Sequence, residues 1–159
     1  TVTIEDKILQ VVRTPGHASN HICLFDAEHR CLFSGDHIIE GSSVLINPPD
    51  GDMKSYLNSM KKIETFDINY IAPAHGGIID NPYEVIKQTV NHRLEREKKI
   101  IECLRLHPKI KLSDLVKYAY DDTVTEIHFL AERSLLAHLL KLKKENIVIM
   151  DENKWCLVL

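Results

Sequence analysis

Apolar and polar residues alternate at the start of the chain, with Val2 and Ile4 before the polar turn Glu5-Asp6-Lys7 and Ile8 and Val11 after it. Period-two alternation around a polar turn predicts a β-hairpin over residues 1–13. Two further short apolar runs, 21–26 and 31–34, flank Ala27-Glu28-His29-Arg30 and predict a second hairpin. The period then changes. Met53, Tyr56, Leu57, Met60 and Ile63 recur at helical spacing after Asp52, so a helix is expected from there to about Glu64. A short strand over Asn69–Ala72 follows. Asn81-Pro82-Tyr83-Glu84 then opens a long helix running to about Leu106, where Pro108 stops it.

The remaining pattern is helix, helix, hairpin. One helix fits Ser113–Tyr120. Another begins at the capping box Thr123-x-x-Glu126 and runs to about Glu145, with Ile127, Leu130, Leu136, Leu139 and Leu140 expected inside. Ile147–Met150 and Trp155–Leu159 close the chain as a hairpin. With the end of the long helix included, residues 98–159 read as a winged-helix arrangement, a variant of the helix-turn-helix. Two units are therefore expected, 1–97 and 98–159.

Charge supports that division without adding a function. Of the 159 residues, 1–97 carry 9 basic and 14 acidic side chains, and 98–159 carry 11 basic and 9 acidic, which together give the net charge of −3. A balance of +2 in the second unit is too small to argue nucleic-acid binding. Hydrophobic residues at 44% supply a packed core and exclude a disordered chain. Cys23, Cys31, Cys103 and Cys156 form no C-x-x-C pair and are expected as reduced thiols. No apolar run approaches the roughly 20 residues of a membrane helix. No secretory signal opens the chain, so a cytoplasmic location is expected. The first residue is Thr, which suggests removal of an upstream segment or a fragment.

The chemistry lies in three loops. His17, Asp36 and His75 each follow a strand and stand beside glycine, in Thr14-Pro15-Gly16-His17, Ser34-Gly35-Asp36-His37 and Pro73-Ala74-His75-Gly76. Imidazole and carboxylate suit zinc, and also iron or manganese. Strands deliver such ligands to one sheet edge, and glycine lets the backbone turn sharply behind them. A lone loop histidine is ordinarily a solvent-facing residue. Three metal-capable side chains ending three strands in order are a much more specific signal.

Those loops resemble the metallo-β-lactamase superfamily. Gly51-Asp52-Met53 with Tyr56, and His92-Arg93 with Arg96-Glu97, are similar to a branch holding β-lactamase-like hydrolases and a lactamase-beta-like endoribonuclease. The resemblance covers essentially the whole chain. It implies an α/β fold: the carboxy-terminal half of an αββα sandwich followed by a winged-helix-like domain. It also implies roles. His17 matches a histidine of the first metal site, Asp36 the carboxylate bridging two metals, and His75 the histidine of the second site. Two zinc ions would acidify a shared water into the nucleophile and stabilise the oxyanion. Asp36 and His21 are the expected catalytic residues, His21 on the substrate side.

The family's His-x-His-x-Asp-His motif is absent from this sequence. Three ligands fall short of the three per metal usual at catalytic zinc, so the chain alone is expected to bind metal weakly and hydrolyse poorly. Ala18 stands where the family often has Thr. The expected partners are a small-molecule substrate and the missing amino-terminal half or a second copy of the chain, with no membrane. The leading function is hydrolysis of an ester, thioester or lactam-like bond. The alternatives are an endoribonuclease acting on single-stranded RNA and a non-catalytic winged-helix interaction module.

Other residues carry plainer expectations. His37 leans toward a pocket role, while His92 and Arg93 are expected on a helix surface or domain interface. His29, His107, His128 and His138 are expected as structural or exposed. Arg133, His138, Lys141, Lys143 and Lys144 form a basic helix face that RNA phosphates would suit, diluted by Glu126, Glu132 and Glu145.

Overall fold

The computed structural model describes residues 1–158. It divides into two compact units, one built from 1–44 and 50–90 and the other from 45–49 and 91–159.

The first unit is a five-stranded sheet in the order β1-β2-β3-β4-β5, formed by Val2–Ile4, Lys7–Arg13, Ile22–Asp26, Cys31–Gly35 and Tyr70–Pro73. The first four strands pair antiparallel, as two hairpins should. β5 pairs parallel to β4, with Leu32 opposite Ile71. A parallel pair needs a crossover, and helix α1 (Met53–Ile63) lies within it. Asp52 caps α1 by accepting from Ser55 N at 2.8 Å, while Lys61 and Lys62 sit at its negative end. The buried residues of α1 are the expected ones: Met53, Tyr56, Leu57, Met60 and Ile63, with Ser59 added.

Strand register sorts the sheet into two unlike faces. Val12 with Cys23, and Phe25 with Leu32 and Ile71, share one face and are all buried. The opposite face carries Val11, Leu24 and Phe33 in one row, with Ile22 and Val2 beside them. Val2, Ile22 and Phe33 remain 40–44% exposed there. A strand that is apolar on both faces is suited to being covered on both.

In the second unit, the end of α2 (Pro82–Leu106), then α3 (Leu112–Ala119) and α4 (His128–Lys144), pack with the hairpin β6-β7 (Val148–Asp151 and Lys154–Leu157). Glu152 and Asn153 make the turn with φ of 45° and 61°, the left-handed pair a two-residue hairpin prefers. Ile110 adds a short third strand, exchanging backbone hydrogen bonds of 3.0 and 2.8 Å with Trp155. Ile100, Leu104, Leu115, Leu135, Leu139, Leu142, Val148 and Trp155 form one core. The expected helix-helix-helix-hairpin order is present. The final strand was expected to reach Leu159, which lies outside the described residues.

α4 departs from expectation in phase. Thr125–Ile127 forms a single 3-10 turn, and α4 starts only at His128 with Ile127 at its N-cap, so the Thr123/Glu126 box does not cap it. Ile127 and Leu130 are exposed at 43% and 40%; of the other expected residues Leu139 is buried and Leu136 and Leu140 pack partly buried against the core, where Ala131, Ser134, Leu135, His138 and Leu142 are buried as well. The sequence from Phe129 to Leu142 is apolar on nearly every face, so periodicity alone allows more than one buried stripe. Among the described residues, no helix is long and apolar enough to cross a membrane.

Candidate metal centre

Pairing of β4 with β5 places the chain segments that follow them at the same sheet edge. Gly35, at φ 54°, turns the chain out of β4 so that Asp36 leaves the strand end. Ala74 N donates to the Gly35 carbonyl at 3.0 Å, which ties the His75 loop to the Asp36 loop. The result is a direct approach: His75 Nε2 stands 3.3 Å from Asp36 Oδ1. Glu40 braces the far side of the His75 loop by accepting from Gly77 N at 2.6 Å. A Cβ on Gly76 would come within 2.8 Å of Glu40 Cβ, so glycine at that position makes room for the brace.

His17 is positioned by the helix that follows. The Gly16 carbonyl accepts from Asp52 N at 2.9 Å, and a Cβ at Gly16 would lie 2.3 Å from Tyr56 Cα. Only glycine lets the start of α1 pass this close. Ser19 N donates to Asp50 Oδ1 at 3.2 Å, and the Ser19 hydroxyl together with this backbone contact lowers the Asp50 carboxyl from its ordinary value. Beyond His17 the chain returns to β3 through His21, whose backbone carbonyl accepts from Thr14 N at 3.0 Å.

Three imidazoles gather here. The rings of His17 and His21 are 6.3 Å apart edge-on, and those of His21 and His37 are 5.2 Å apart. His37 is fully buried, with the Tyr56 ring 4.6 Å away and the Tyr56 hydroxyl donating to its backbone carbonyl at 3.0 Å. Burial, then the positive charges His21 and His17 can carry, pushes the His37 imidazole down to about 3. His37 is therefore a neutral ring in the wall of the site. Burial also lowers the His21 imidazole, with the His17 charge acting the same way and Asp36 opposing.

The donor set fits a transition-metal ion in part. Asp36 Oδ1 is shielded from solvent and accepts no hydrogen bond, an unusual state for a carboxylate oxygen. Its 3.3 Å spacing from an imidazole nitrogen is close to the separation of about 3.4 Å between two ligands on one tetrahedral zinc. The structure thus brings Asp36 to His75, and His17 to His21 and His37. It does not draw the ligand atoms of His17, Asp36 and His75 within 4.8 Å of one another. Asp26, Glu28 and His29 do reach that mutual distance. There, however, Asp26 is occupied in the β3-β4 turn, accepting from Glu28 N at 3.0 Å, His29 N at 3.1 Å and the His29 ring at 2.9 Å.

Sequence reasoning missed Glu40 and Thr14. Glu40 has no motif signal, and Thr14 opens the Thr14-Pro15-Gly16-His17 loop without a role being legible there, because each acts through a contact made only in the fold. Of the two positions expected for Arg93, a helix surface or a domain interface, its 4% exposure excludes the open surface. In the second unit His138 and Lys141 point inward. Lys141 Nζ meets Glu97 at 2.8 Å and Glu145 at 2.9 Å, and His138 Nδ1 lies 3.6 Å from Glu97. Two of the five residues of the expected basic face are therefore inside the protein.

Comparison with known proteins identifies the family and the fold. The family model described as the metallo-beta-lactamase superfamily matches residues 1–75, and that of the beta-lactamase associated winged helix domain matches residues 112–155. The Beta-lactamase-like protein 2 homolog of Caenorhabditis elegans is 33% identical over 92% of this chain and 48% of its own length. A thioesterase of Emericella nidulans is 33% identical over 67% of this chain and 30% of its own length. The crystal structure of a metallo-beta-lactamase family protein from Thermus thermophilus superposes with a TM-score of 0.87 at 20% identity, over 99% of this chain and 52% of that one. The chain spans about half the length of the beta-lactamase-like relatives it matches. Its loops, its parallel β4-β5 edge and its winged-helix unit together make this chain a member of the metallo-beta-lactamase superfamily, of the kind that carries the associated winged helix domain.

Proposed function

We propose that the complete protein containing this chain is a metal-dependent hydrolase of ester, thioester or lactam-like bonds, and that this chain supplies His17, Asp36 and His75 to a two-zinc centre. The observation that carries it is the Asp36–His75 approach at the shared end of two parallel strands, with an unbonded carboxylate oxygen facing an imidazole. A bound pair of divalent ions would supply Lewis acidity and acidify water. The chain's own residues do the rest. Asp36 and His75 present donors from one edge. His37, which follows Asp36 in the chain, packs its buried ring against Tyr56 and anchors the start of the Asp36 loop. His21 offers a neutral imidazole beside Asp36 that can hold or accept a proton. The thioesterase name of one relative favours thioesters within the substrate class.

The exposed apolar face of the sheet supports a partner as well. Val2, Ile22 and Phe33 suit the second sheet of a sandwich, supplied by the remainder of the complete protein or by another copy of this chain. RNA as substrate draws less support, since Lys141 and His138 are committed to Glu97. The test is hydrolysis of a panel of aryl esters, acyl thioesters and a chromogenic lactam by the complete protein, before and after chelation. Chelator-sensitive turnover of one class is expected. Chelator-insensitive turnover, or cleavage of single-stranded RNA alone, would overturn the proposal.

A further inference from the structure

A short hydrogen-bond chain runs from the backbone of β4 to the ring of His21. Its first acceptor is the Ser34 carbonyl, which takes the His37 backbone N–H at 3.0 Å and stands 3.6 Å from Cys23 Sγ. Cys23 Sγ is 3.3 Å from Thr14 Oγ1, and Thr14 Oγ1 is 2.8 Å from His21 Nδ1. Thr14, Cys23 and Ser34 are all fully buried, so none of these groups exchanges its partner for water.

A carbonyl can only accept, and this sets the direction of the whole chain. With the Cys23 thiol donating to Ser34, its sulfur is free to accept the Thr14 hydroxyl, whose oxygen is then free to accept Nδ1–H of His21. Three donors find three acceptors. The reverse order puts the Thr14 hydrogen on Nδ1. The single Cys23 hydrogen must then choose between Thr14 and Ser34, and one of the three contacts loses its hydrogen bond. In a buried chain the arrangement with the extra bond prevails, because unmade bonds there cost the full desolvation of their groups. Burial pushes the Cys23 thiol up to about 11, so the hydrogen it must donate is present.

We infer that Thr14 and Cys23 are positioning residues that hold His21 in its Nδ1–H tautomer, leaving the Nε2 lone pair aimed at the Asp36 edge as a proton acceptor or ligand. The other end of the ring is where that requires. A Cβ on Gly35, the residue preceding Asp36, would stand 3.0 Å from His21 Nε2. Glycine there leaves the nitrogen clear of side-chain atoms on its Asp36 side. Histidine tautomers are commonly set by the partner of the remote nitrogen, and here that partner is a hydroxyl whose own hydrogen is already committed. The tautomer follows from buried contacts alone; the use of Nε2 in catalysis rests on the hydrolase function proposed above.

The test is long-range proton–nitrogen NMR on the complete protein, labelled with nitrogen-15 in its histidine rings, stripped of metal and held at about pH 8. The His21 signals are assigned by their loss in His21→Gln. Wild type is expected to show the pattern of a protonated Nδ1 and an unprotonated Nε2. Thr14→Val should lose that pattern, and Thr14→Ser should restore it. Chelator-sensitive turnover is expected to fall about tenfold to hundredfold in Thr14→Val and to recover in Thr14→Ser. An Nε2–H tautomer in wild type, or a Thr14→Val spectrum identical to wild type, overturns the relay. An Nδ1–H tautomer in a protein without hydrolytic activity upholds the relay and refutes the hydrolase.

Discussion

The two units both set histidine beside carboxylate, and they do so in opposite ways. At the sheet edge Asp36 meets His75 with the imidazole largely exposed and the facing carboxylate oxygen accepting no hydrogen bond. In the winged-helix unit Glu97 meets His138 and Lys141, and the three side chains are nearly sealed from solvent. Lys141 there bonds to two carboxylates, while Arg96, over the Tyr120 ring at 4.2 Å, makes a two-pronged pair with Asp122 at 2.9 Å. Unspent donors at an accessible edge are suited to a ligand. Charges paired in a sealed interior, as Lys141 is with Glu97 and Glu145, are suited to fixing one packing of helices, even though Glu97 Oε2 and both His138 ring nitrogens there also lack a hydrogen bond. Exposure and the Lys141 ion pairs, rather than unmade hydrogen bonds, are what separate the two clusters.

Substitutions should divide along the same line. Asp36→Asn is expected to cut chelator-sensitive turnover of the complete protein by at least about hundredfold, more than the loss of a supporting contact costs. Its melting temperature in the metal-free state should stay near wild type, because no protein hydrogen bond to Asp36 Oδ1 is lost. Lys141→Met should do the converse. Removing one partner of a sealed pair leaves Glu97 charged and unmatched, costing about 3 kcal/mol in denaturant unfolding. Metal content should be unchanged. If Lys141→Met lowers metal content as much as Asp36→Asn does, the distinction between the two clusters fails.

Acid should weaken the sealed cluster. Burial lowers the His138 imidazole, the Arg93 and Lys141 charges add to the lowering, and Glu97 opposes it. The unfolded chain takes up this proton near 6.5, before the folded chain can. Stability is therefore complete above about pH 6.5 and falls as the pH drops below it. Burial raises Glu97, yet its contacts with His138 and Lys141 outweigh burial and hold it low, so it adds a loss of the same sign at still lower pH. His138→Leu should flatten unfolding free energy between about pH 7 and 5, and an unchanged slope would show that His138 does not carry it.

The smallest effect concerns the apolar sheet face. Phe33→Arg should reduce self-association of this chain in sedimentation without shifting its far-ultraviolet spectrum, since Phe33 is 43% exposed. Association unchanged by Phe33→Arg would remove this face from consideration as the contact.

Much of the sheet-edge unit was legible because its signals are local. The hairpin turn at Glu5-Asp6, the cap at Asp52 and the glycines beside His17, Asp36 and His75 each act within a few residues. Helix α4 was legible in extent but not in orientation. Its apolar residues surround it, and the side that faces inward is decided by Ile100, Leu104 and Trp155, far away in sequence. Lys141 reads as a surface base until Glu97, 44 positions earlier, is placed beside it. His37 reads as a pocket residue from its place after Asp36, and only the fold shows its ring buried against Tyr56. The relay through Thr14 and Cys23 spans strand ends joined by register, which no linear motif encodes.

The most direct test is the metal content of the complete protein by elemental analysis, wild type against Asp36→Asn. Two transition-metal ions per chain in wild type, with both lost or reduced to weak binding in the variant, is the expected result. Wild type without bound transition metal, or a variant that retains both ions, would contradict the assignment of His17, Asp36 and His75 to a shared centre.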